Sequence, residues 1–128
     1  MNITRYFKAL GDETRLRLFH LLLQYELNVN ELVMIMEMGQ SRISRHLKVL
    51  SENGLLRHRR DGGFSYYQVP NNPEIESLVL FVKNSLTREE TATEDISRAQ
   101  AIIKERKNKT RRFFNQVAEH WERLKRDV

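Results

Sequence analysis

The chain has 128 residues, of which 30% are charged, and a formal net charge of +5. This length suits one domain, or one domain with an appendage, and the lack of cysteine excludes disulfides, thiolate metal sites and thiol nucleophiles. No apolar run approaches the ~20 residues that span a bilayer, so we expect no membrane partner, no cleavable signal peptide and a cytoplasmic location.

Two helices are predicted near the N-terminus. An apolar face predicts the first over residues 3–10, and Asp12 is a suitable N-cap for the second. The predicted buried stripe of the second helix consists of Leu16, Phe19, Leu22 and Leu23. Arg15 and Arg17 are expected to point to water, and His20 is interpreted as a structural residue at the edge of the stripe.

Two further helices are predicted on either side of a short turn that contains Gly39. The third runs from Asn30 to Met36 and the fourth over residues 40–53. One face of the fourth helix is apolar, with Ile43, Leu47 and Leu50. Gly54 then ends this helix, because glycine tolerates the left-handed conformation at a helix C-terminus. Helix, glycine turn, helix is the arrangement of a helix-turn-helix.

Positive charge is concentrated in residues 40–60. This segment has a single carboxylate, Glu52, and six cationic side chains: Arg42, Arg45, Lys48, Arg57, Arg59 and Arg60. A helix with one apolar face and one polar, basic face can pack on a core and still fit a DNA groove. A solvated basic helix is the alternative interpretation of the same pattern.

A hairpin is predicted after the fourth helix, with strands at Leu55–Arg60 and Phe64–Val69. Asp61-Gly62-Gly63 lies between them and supplies the positive φ that a tight hairpin needs. The predicted fold class is therefore mainly α with a small β-hairpin, a winged helix-turn-helix in which the hairpin is the wing.

The segment after the hairpin predicts a dimer contact. A helix is expected over residues 73–86, with Asn72 as its cap and Pro73 at its first position. It is apolar on more of its circumference than a small domain can cover. We divide the chain accordingly into a DNA-binding and dimerisation domain (1–86) and a C-terminal helical extension (87–128).

The C-terminal extension is basic and helical by pattern. Thr87 and Glu90 fit the T-x-x-E capping box of a further helix. Residues 1–103 hold 13 basic and 13 acidic side chains, whereas residues 104–128 hold 9 and 4. An apolar stripe at helical spacing must be buried against something: Phe113, Phe114, Val117, Ala118, Trp121 and Leu124.

Three segments, 7–23, 27–32 and 40–67, together resemble the ArsR/SmtB family of bacterial winged-helix repressors. The family pattern joins F-x-A-L-x-D-x-T-R-L-x-I-L to a recognition helix with S-R-H-L and a wing that ends near Y-Y. The residues at matching positions of the recognition helix and wing are Gln40, Ser44, Arg45, His46, Leu47, Leu50, Gly54, Leu55, Tyr66 and Tyr67. The resemblance covers roughly residues 3–86.

This resemblance implies a homodimeric, DNA-binding transcriptional regulator, usually a repressor that leaves its operator when an effector binds. The dimer would present two recognition helices to successive major grooves, about 34 Å apart, on an inverted repeat. The expected DNA-contacting residues are Gln40, Ser41, Arg42, Ser44, Arg45, His46, Lys48, Arg59, Arg60, Gly62 and Gly63.

These residues have different expected roles. Arg42 can pair with guanine and Gln40 with adenine, whereas Arg45 and Lys48 would hold phosphates. Two roles stay open for His46: a phosphate contact, or an intramolecular hydrogen bond that stabilises the helix. Packing is favoured over DNA contact for Tyr66 and Tyr67.

The chain departs from the family at the metal sites. The best-known site of the family is C-x-C before the third helix, and Asn28 and Asn30 stand at those two positions here. Amide oxygens are poor ligands for soft thiophilic ions, so no As(III), Cd(II) or Pb(II) site is expected. A second family site uses Asp and His after the wing, where residues 73–112 contain no His. We therefore expect no metal, no cofactor and an effector that is not a thiophilic ion.

Residues 110–128 resemble the lead-in of a methyltransferase domain that is fused to some members of the family. The similar pattern is R-x-F-F-x-x-x-A-x-x-W-x-x-L, and no glycine-rich nucleotide loop follows it. One interpretation is a remnant that shapes a small-molecule pocket across the dimer, with an S-adenosyl metabolite as effector. The other, slightly favoured, is a plain dimerisation helix without a ligand.

Functions of other classes are weighed against this one. An enzyme is not expected, because the sequence offers no nucleophile, paired carboxylates or cofactor loop. A winged-helix module that binds only proteins is the main alternative, and it predicts no salt-dependent binding to duplex DNA. A membrane-surface role for the basic 104–128 helix ranks below a packed dimer helix.

Overall fold

The computed structural model describes residues 2–126. Over these residues the elements are α1 (Ile3–Leu10), α2 (Glu13–Gln24), β1 (Leu27–Asn28), α3 (Val29–Met36), α4 (Gln40–Glu52), β2 (Arg57–Asp61), β3 (Phe64–Gln68), a 3₁₀ turn (Pro73–Ile75), α5 (Glu76–Leu86) and α6 (Glu90–Arg126). The predicted fold class is confirmed, since a helix-turn-helix (α3 and α4), a β-hairpin wing and a long C-terminal helix are all present.

Helix α2 lies at the centre of the domain, in contact with α1, α4, α5, α6 and β3. It begins as predicted, with Asp12 Oδ1 accepting a hydrogen bond from the Arg15 backbone N–H at 3.1 Å. Its buried surface is wider than the predicted stripe, because neighbours cover several of its sides. The fully buried side chains are Leu18, Phe19, Leu21 and Leu22, whereas Leu16 and Leu23 are only partly buried.

The expectation that Arg15 and Arg17 point to water is wrong. Arg17 forms a bidentate pair with Asp95 of α6, at 2.8 and 2.9 Å. Arg15 donates to the backbone carbonyls of Lys8 and Ala9 at the end of α1. The partners of both arginines lie in other helices, so the helical periodicity of α2 alone did not reveal them.

The sheet has one strand that the sequence pattern did not predict. Strand β1 pairs antiparallel with β3 in the order β1-β3-β2, with Leu27 opposite Tyr67. Two residues are too few to give a periodic signal. The predicted hairpin is confirmed: Asp61 lies opposite Phe64, and Gly62 and Gly63 form the turn at φ 58° and 83°.

The predicted helix over 73–86 consists of the 3₁₀ turn followed by α5, and Asn72 caps it by accepting from the Glu74 N–H at 3.0 Å. The predicted capping box at Thr87 is wrong. The Thr87 hydroxyl donates back to the Lys83 carbonyl at 2.5 Å and so belongs to the end of α5. Glu89 caps α6 instead, because its carboxylate accepts from the Thr91 and Ala92 N–H groups.

Helix α6 has 37 residues, a length of ~55 Å, and is packed only along its first part. There it buries Ala92, Asp95 and Ala99 on α2 and α3. The predicted division of the chain after residue 86 stays a prediction, although the folded body includes these first turns of α6. Among residues 2–126, no helix is long and apolar enough to cross a membrane.

Candidate nucleic-acid interface

Helix α4 has two chemically distinct faces. Its apolar residues Ile43, Leu47 and Leu50 are all buried in the core between α2 and α3. The exposed residues on its remaining surface are Gln40, Ser41, Arg42, Ser44, Arg45, Lys48 and Glu52. The packing of α4 therefore presents to solvent the polar and basic residues that the sequence predicts for DNA contact.

The start of α4 leaves backbone donors uncapped. Glu37 adopts φ 54° and closes α3, its N–H donating to the Val33 carbonyl at 2.9 Å. Gly39 is then the N-cap of α4, and it makes no side-chain cap hydrogen bond. The free N–H groups of a first helical turn favour an anion such as a phosphate. The turn thus adds backbone donors beside Gln40 and Ser41.

The side chains of Arg42 and Lys48 have weak internal partners. Arg42 Nη2 lies 3.5 Å from the Thr14 hydroxyl, at the limit of a hydrogen bond, and the Lys48 ammonium lies 3.9 Å from a Glu52 carboxylate oxygen. Exposed pairs of this kind contribute little stability. Both cations can exchange these partners for DNA at small cost.

His46 is held from within the protein. Its Nδ1 lies 3.4 Å from an Arg15 guanidinium nitrogen. Because arginine is always a donor, Nδ1 must accept, which leaves Nε2–H as the donor of a neutral ring. Burial lowers the pKa of His46, the Asp12 carboxylate opposes this shift, and the cationic Arg15 adds to it. The geometry favours the steadying role, while Nε2–H stays available to an acceptor.

The wing places its cationic side chains differently. Arg60 and the Gly62-Gly63 turn are exposed. Arg59, in contrast, binds both Glu26 carboxylate oxygens at 2.6–3.0 Å and also Asp61 at 3.3 Å. Hydrogen bonds from Arg59 lower the pKa of Glu26. Arg59 must therefore give up or share an internal carboxylate before it can reach a phosphate.

Sequence reasoning did not predict the residues that hold the helix-turn-helix in place through contacts with α1 and α6. Arg5 of α1 donates to the Asn53 side chain at 2.7 Å and to the Glu52 carbonyl, which ties α1 to the end of α4. Arg106 of α6 donates to Glu31 of α3. These pairs are 48 and 75 residues apart, and no local pattern indicates them.

Asn28, at the first of the two cysteine positions of the family's metal site, has a structural role in this chain. Asn28 Oδ1 accepts from the Glu31 N–H, and Glu31 Oε1 accepts from the Asn28 N–H, both at 2.9 Å, so the two residues form the capping box of α3. An N-x-x-E pattern in the sequence was the available signal. Asn30 is exposed. Across residues 2–126, no group of three or more His, Cys, Asp or Glu is placed to hold a metal ion.

Comparisons with known proteins agree with this geometry. Residues 12–58 match the family described as "Bacterial regulatory protein, arsR family". The chain is 46% identical to the arsenic resistance transcriptional regulator ArsR2 of Pseudomonas putida over 57% of its own length and 63% of that protein. It is 38% identical to the arsenical resistance operon repressor of Bacillus subtilis, over 57% of its length and 70% of that protein.

A solved structure shows the same fold. The homodimeric winged helix-turn-helix DNA-binding domain Mb0332 of Mycobacterium bovis, a possible ArsR-family transcriptional regulator, has a TM-score of 0.58 and 27% identity, over 69% of this chain and 81% of that one. The match with the first three curated relatives spans 56–65% of their length. The chain belongs to the arsR family of bacterial regulatory proteins.

Proposed function

We propose that the chain is a sequence-specific, DNA-binding transcriptional regulator that acts in the cytoplasm as a homodimeric repressor. The observation that carries this proposal is α4. One face of this helix buries Ile43, Leu47 and Leu50, and the other exposes a polar and basic surface that leads directly into the wing. Such a helix has the shape and chemistry for the major groove, and the wing for the flanking backbone.

The exposed residues divide by chemistry into base readers and phosphate anchors. Gln40, Ser41, Arg42 and Ser44 lie at the N-terminal end of α4, which in such helices meets base edges. The proposed backbone contacts are Arg45, His46, Lys48, Arg59, Arg60, Gly62 and Gly63. Of these, Arg59 is the weakest candidate, since Glu26 already neutralises it.

Homodimer formation is supported by apolar surface that the single chain leaves exposed. Large apolar side chains on α1 and α5 face solvent, namely Ile3, Phe7, Leu80 and Phe81. The similar Mycobacterium bovis domain is described as homodimeric. Two copies related by a two-fold axis would place two α4 helices on an inverted repeat.

The effector is proposed to be something other than a thiophilic metal ion. Two relatives are named for arsenic or arsenical resistance, but Asn28 of this chain uses its side-chain oxygen to cap α3. An S-adenosyl metabolite stays a prediction. Calorimetric titration with S-adenosyl compounds tests it, and no heat at millimolar ligand would rule it out.

The test of DNA binding starts from selection of bound sequences out of a random duplex pool. On the selected duplex, Arg42→Ala should cost about 1–3 kcal/mol and relax sequence preference, whereas Lys48→Ala should weaken matched and scrambled duplexes alike. Affinity should fall steeply with salt, because phosphate contacts release counterions. Failure of the wild-type protein to bind any duplex at low salt would favour the protein-interaction alternative.

A further inference from the structure

A second cationic surface lies beside the wing. Tyr66 of β3 faces α6 across an open groove of about 670 Å³. The α6 side of this groove is formed by Arg106, Lys107, Lys109, Thr110, Arg111 and Phe114. We call it the wing–α6 groove. Its residues combine unpaired cations with two aromatic rings on an open, solvent-accessible surface.

Arg106 fixes the position of α6 against the wing. Its guanidinium donates to Glu31 at 2.6 Å and to the Glu26 carbonyl at 3.1 Å. The same guanidinium lies 5.4 Å from the centroid of the Tyr66 ring, and the Arg59 guanidinium lies 5.0 Å from that centroid. One wing tyrosine thus contacts two arginines, each of which is paired with a carboxylate. The groove is therefore held in place by contacts from α3, α6 and the wing.

The remaining cations of the groove are not neutralised in the same way. Residues 104–112 contain six cationic side chains and one carboxylate, Glu105. That carboxylate is bound by Arg112 at 3.1 Å. Among the ion pairs of residues 2–126, none involves Lys107, Lys109 or Arg111. The groove therefore presents free positive charge, which is the electrostatic requirement for a polyanion.

We propose that the wing–α6 groove binds the phosphate backbone of duplex DNA just outside the segment that the wing contacts. This inference rests on the proposed function. Tyr66 is three residues from Gly63, about 10 Å along the strand from the wing tip. A phosphate that meets the wing tip therefore lies roughly 10 Å from Tyr66, and neighbouring phosphates of the same strand can approach the wing–α6 groove. The α6 helix thereby extends the footprint of the domain outward.

Two features favour duplex DNA over other anions. The groove is largely open to solvent, which suits an extended backbone, whereas a small ligand is usually enclosed on most sides. An anionic bilayer could also attract cations beside aromatic side chains. The groove, however, lies beside the wing. Because the wing is proposed to bind DNA, the polyanion that comes close to the groove is DNA.

The experiment compares two lengths of one duplex. The core duplex is the sequence selected by the wild-type protein, trimmed to the length that a variant without the three groove cations (Lys107, Lys109 and Arg111) protects. The extended duplex adds about one helical turn, ~10 bp, at each end. The wild-type protein should bind the extended duplex more tightly and with a steeper dependence on salt. The triple variant Lys107→Gln, Lys109→Gln, Arg111→Gln should lose this gain and bind the core duplex as the wild type does.

The salt dependence gives a count of the contacts. On the extended duplex, the slope of log K against log salt should become shallower by about 0.9 for each phosphate contact that the triple variant loses. The matched control carries Arg123→Gln, Lys125→Gln and Arg126→Gln, which remove the same charge about 20 Å further along α6. This control should keep the gain from the longer duplex. Circular dichroism checks that α6 stays helical in both variants.

Several results would overturn the inference. They are an equal loss on both duplexes in the triple variant, the same loss in the control, or no gain from length in the wild type. Loss of binding to sedimented anionic vesicles with unchanged duplex binding would assign the groove to membranes. A wild-type protein that binds no duplex contradicts the proposed function itself, whereas binding to the core duplex without a length gain contradicts only the role of α6.

Discussion

Helix α6 carries apolar side chains both before and after Arg106, and these two halves differ in what covers those side chains. In the first half, Ala92 and Ala99 are buried against α2 and α3. In the second half, Phe113 and Trp121 are 61% and 60% exposed. Spacing predicts a helix and an apolar face, but the extent of the folded body decides where that face is covered.

The ion pairs of the two halves differ in the same way. Asp95 in the first half is only 1% exposed and is bound by Arg17 at 2.8 Å. The pair of Arg112 and Glu105, at 3.1 Å, has both side chains more than half exposed. Removal of one partner should therefore cost more in the buried pair than in the exposed pair, because water can solvate only the exposed charge that is left behind.

Removal of the buried carboxylate should give the largest effect on stability. Asp95→Asn leaves the mostly buried Arg17 guanidinium without its counter-charge, and we expect a loss of about 3 kcal/mol in the free energy of unfolding. Urea denaturation measures it. The matched control is Glu105→Gln in the exposed pair, for which we expect a loss below about 1 kcal/mol. Similar losses in both variants would contradict the distinction between the two halves.

Arg106 marks the boundary between the halves, and its removal should have the next largest effect. Arg106→Gln leaves the Glu31 carboxylate, in a residue that is 6% exposed, without its guanidinium, and we expect a loss of about 2 kcal/mol. The wing should also exchange amide hydrogens faster, because α6 no longer contacts Tyr66. Arg111→Gln, one turn further on and exposed, is the control. Unchanged exchange in β2 and β3 would argue against a tie between α6 and the wing.

The free energy of unfolding should depend on pH through His20, a buried residue near Asp95 in the first half of α6. Burial lowers the pKa of His20 below its ordinary 6.5, and the nearby Asp95 and Glu89 charges oppose this only in part. The unfolded chain therefore binds the proton more strongly, so stability is complete above about pH 6.5 and declines as the pH falls below it.

Urea unfolding at several pH values between 7 and 5 tests this sign. His46 has a pKa shifted in the same direction and contributes to the slope as well. His20→Gln should reduce the slope. A slope that His20→Gln does not alter would contradict the assignment.

The smallest effect on folding is expected in the exposed stripe. Trp121→Ala should change the free energy of unfolding by less than about 0.5 kcal/mol when measured below the concentration at which copies associate. The same substitution should weaken association, measured by sedimentation, if a second copy covers the stripe. A loss of more than 1 kcal/mol in the dissociated chain would show that the stripe is already packed within one copy.

Much of the fold was predictable, because the signals were local. Asp12 caps α2 through its own side chain, and Gly62-Gly63 makes the hairpin turn through its own φ angles. The capping role predicted for Thr87 was wrong. Its hydroxyl could bond either the start of α6 or the end of α5, and it donates to the Lys83 carbonyl of α5. Strand β1 was not predicted because it exists only through pairing with β3.

The candidate site was predictable on its exposed side only. Ile43, Leu47 and Leu50 indicated which face of α4 is buried, and so which residues face outward. Nothing in the sequence indicated that Glu26 neutralises Arg59, or that Arg15 bonds His46. These pairs join residues 33 and 31 positions apart, and the approach of their elements decides whether they meet.

The sequence by itself determined the helices, the wing turn, the two-faced recognition helix and the positive charge of the tail. The charge of the tail follows from composition, and the other features follow from hydrogen bonds and periodicities within a few residues. Only the tertiary structure decided which arginines form ion pairs with carboxylates of the same chain and which have no such partner and can bind phosphates. That outcome depends on distances between side chains from separate elements, which a linear pattern does not contain.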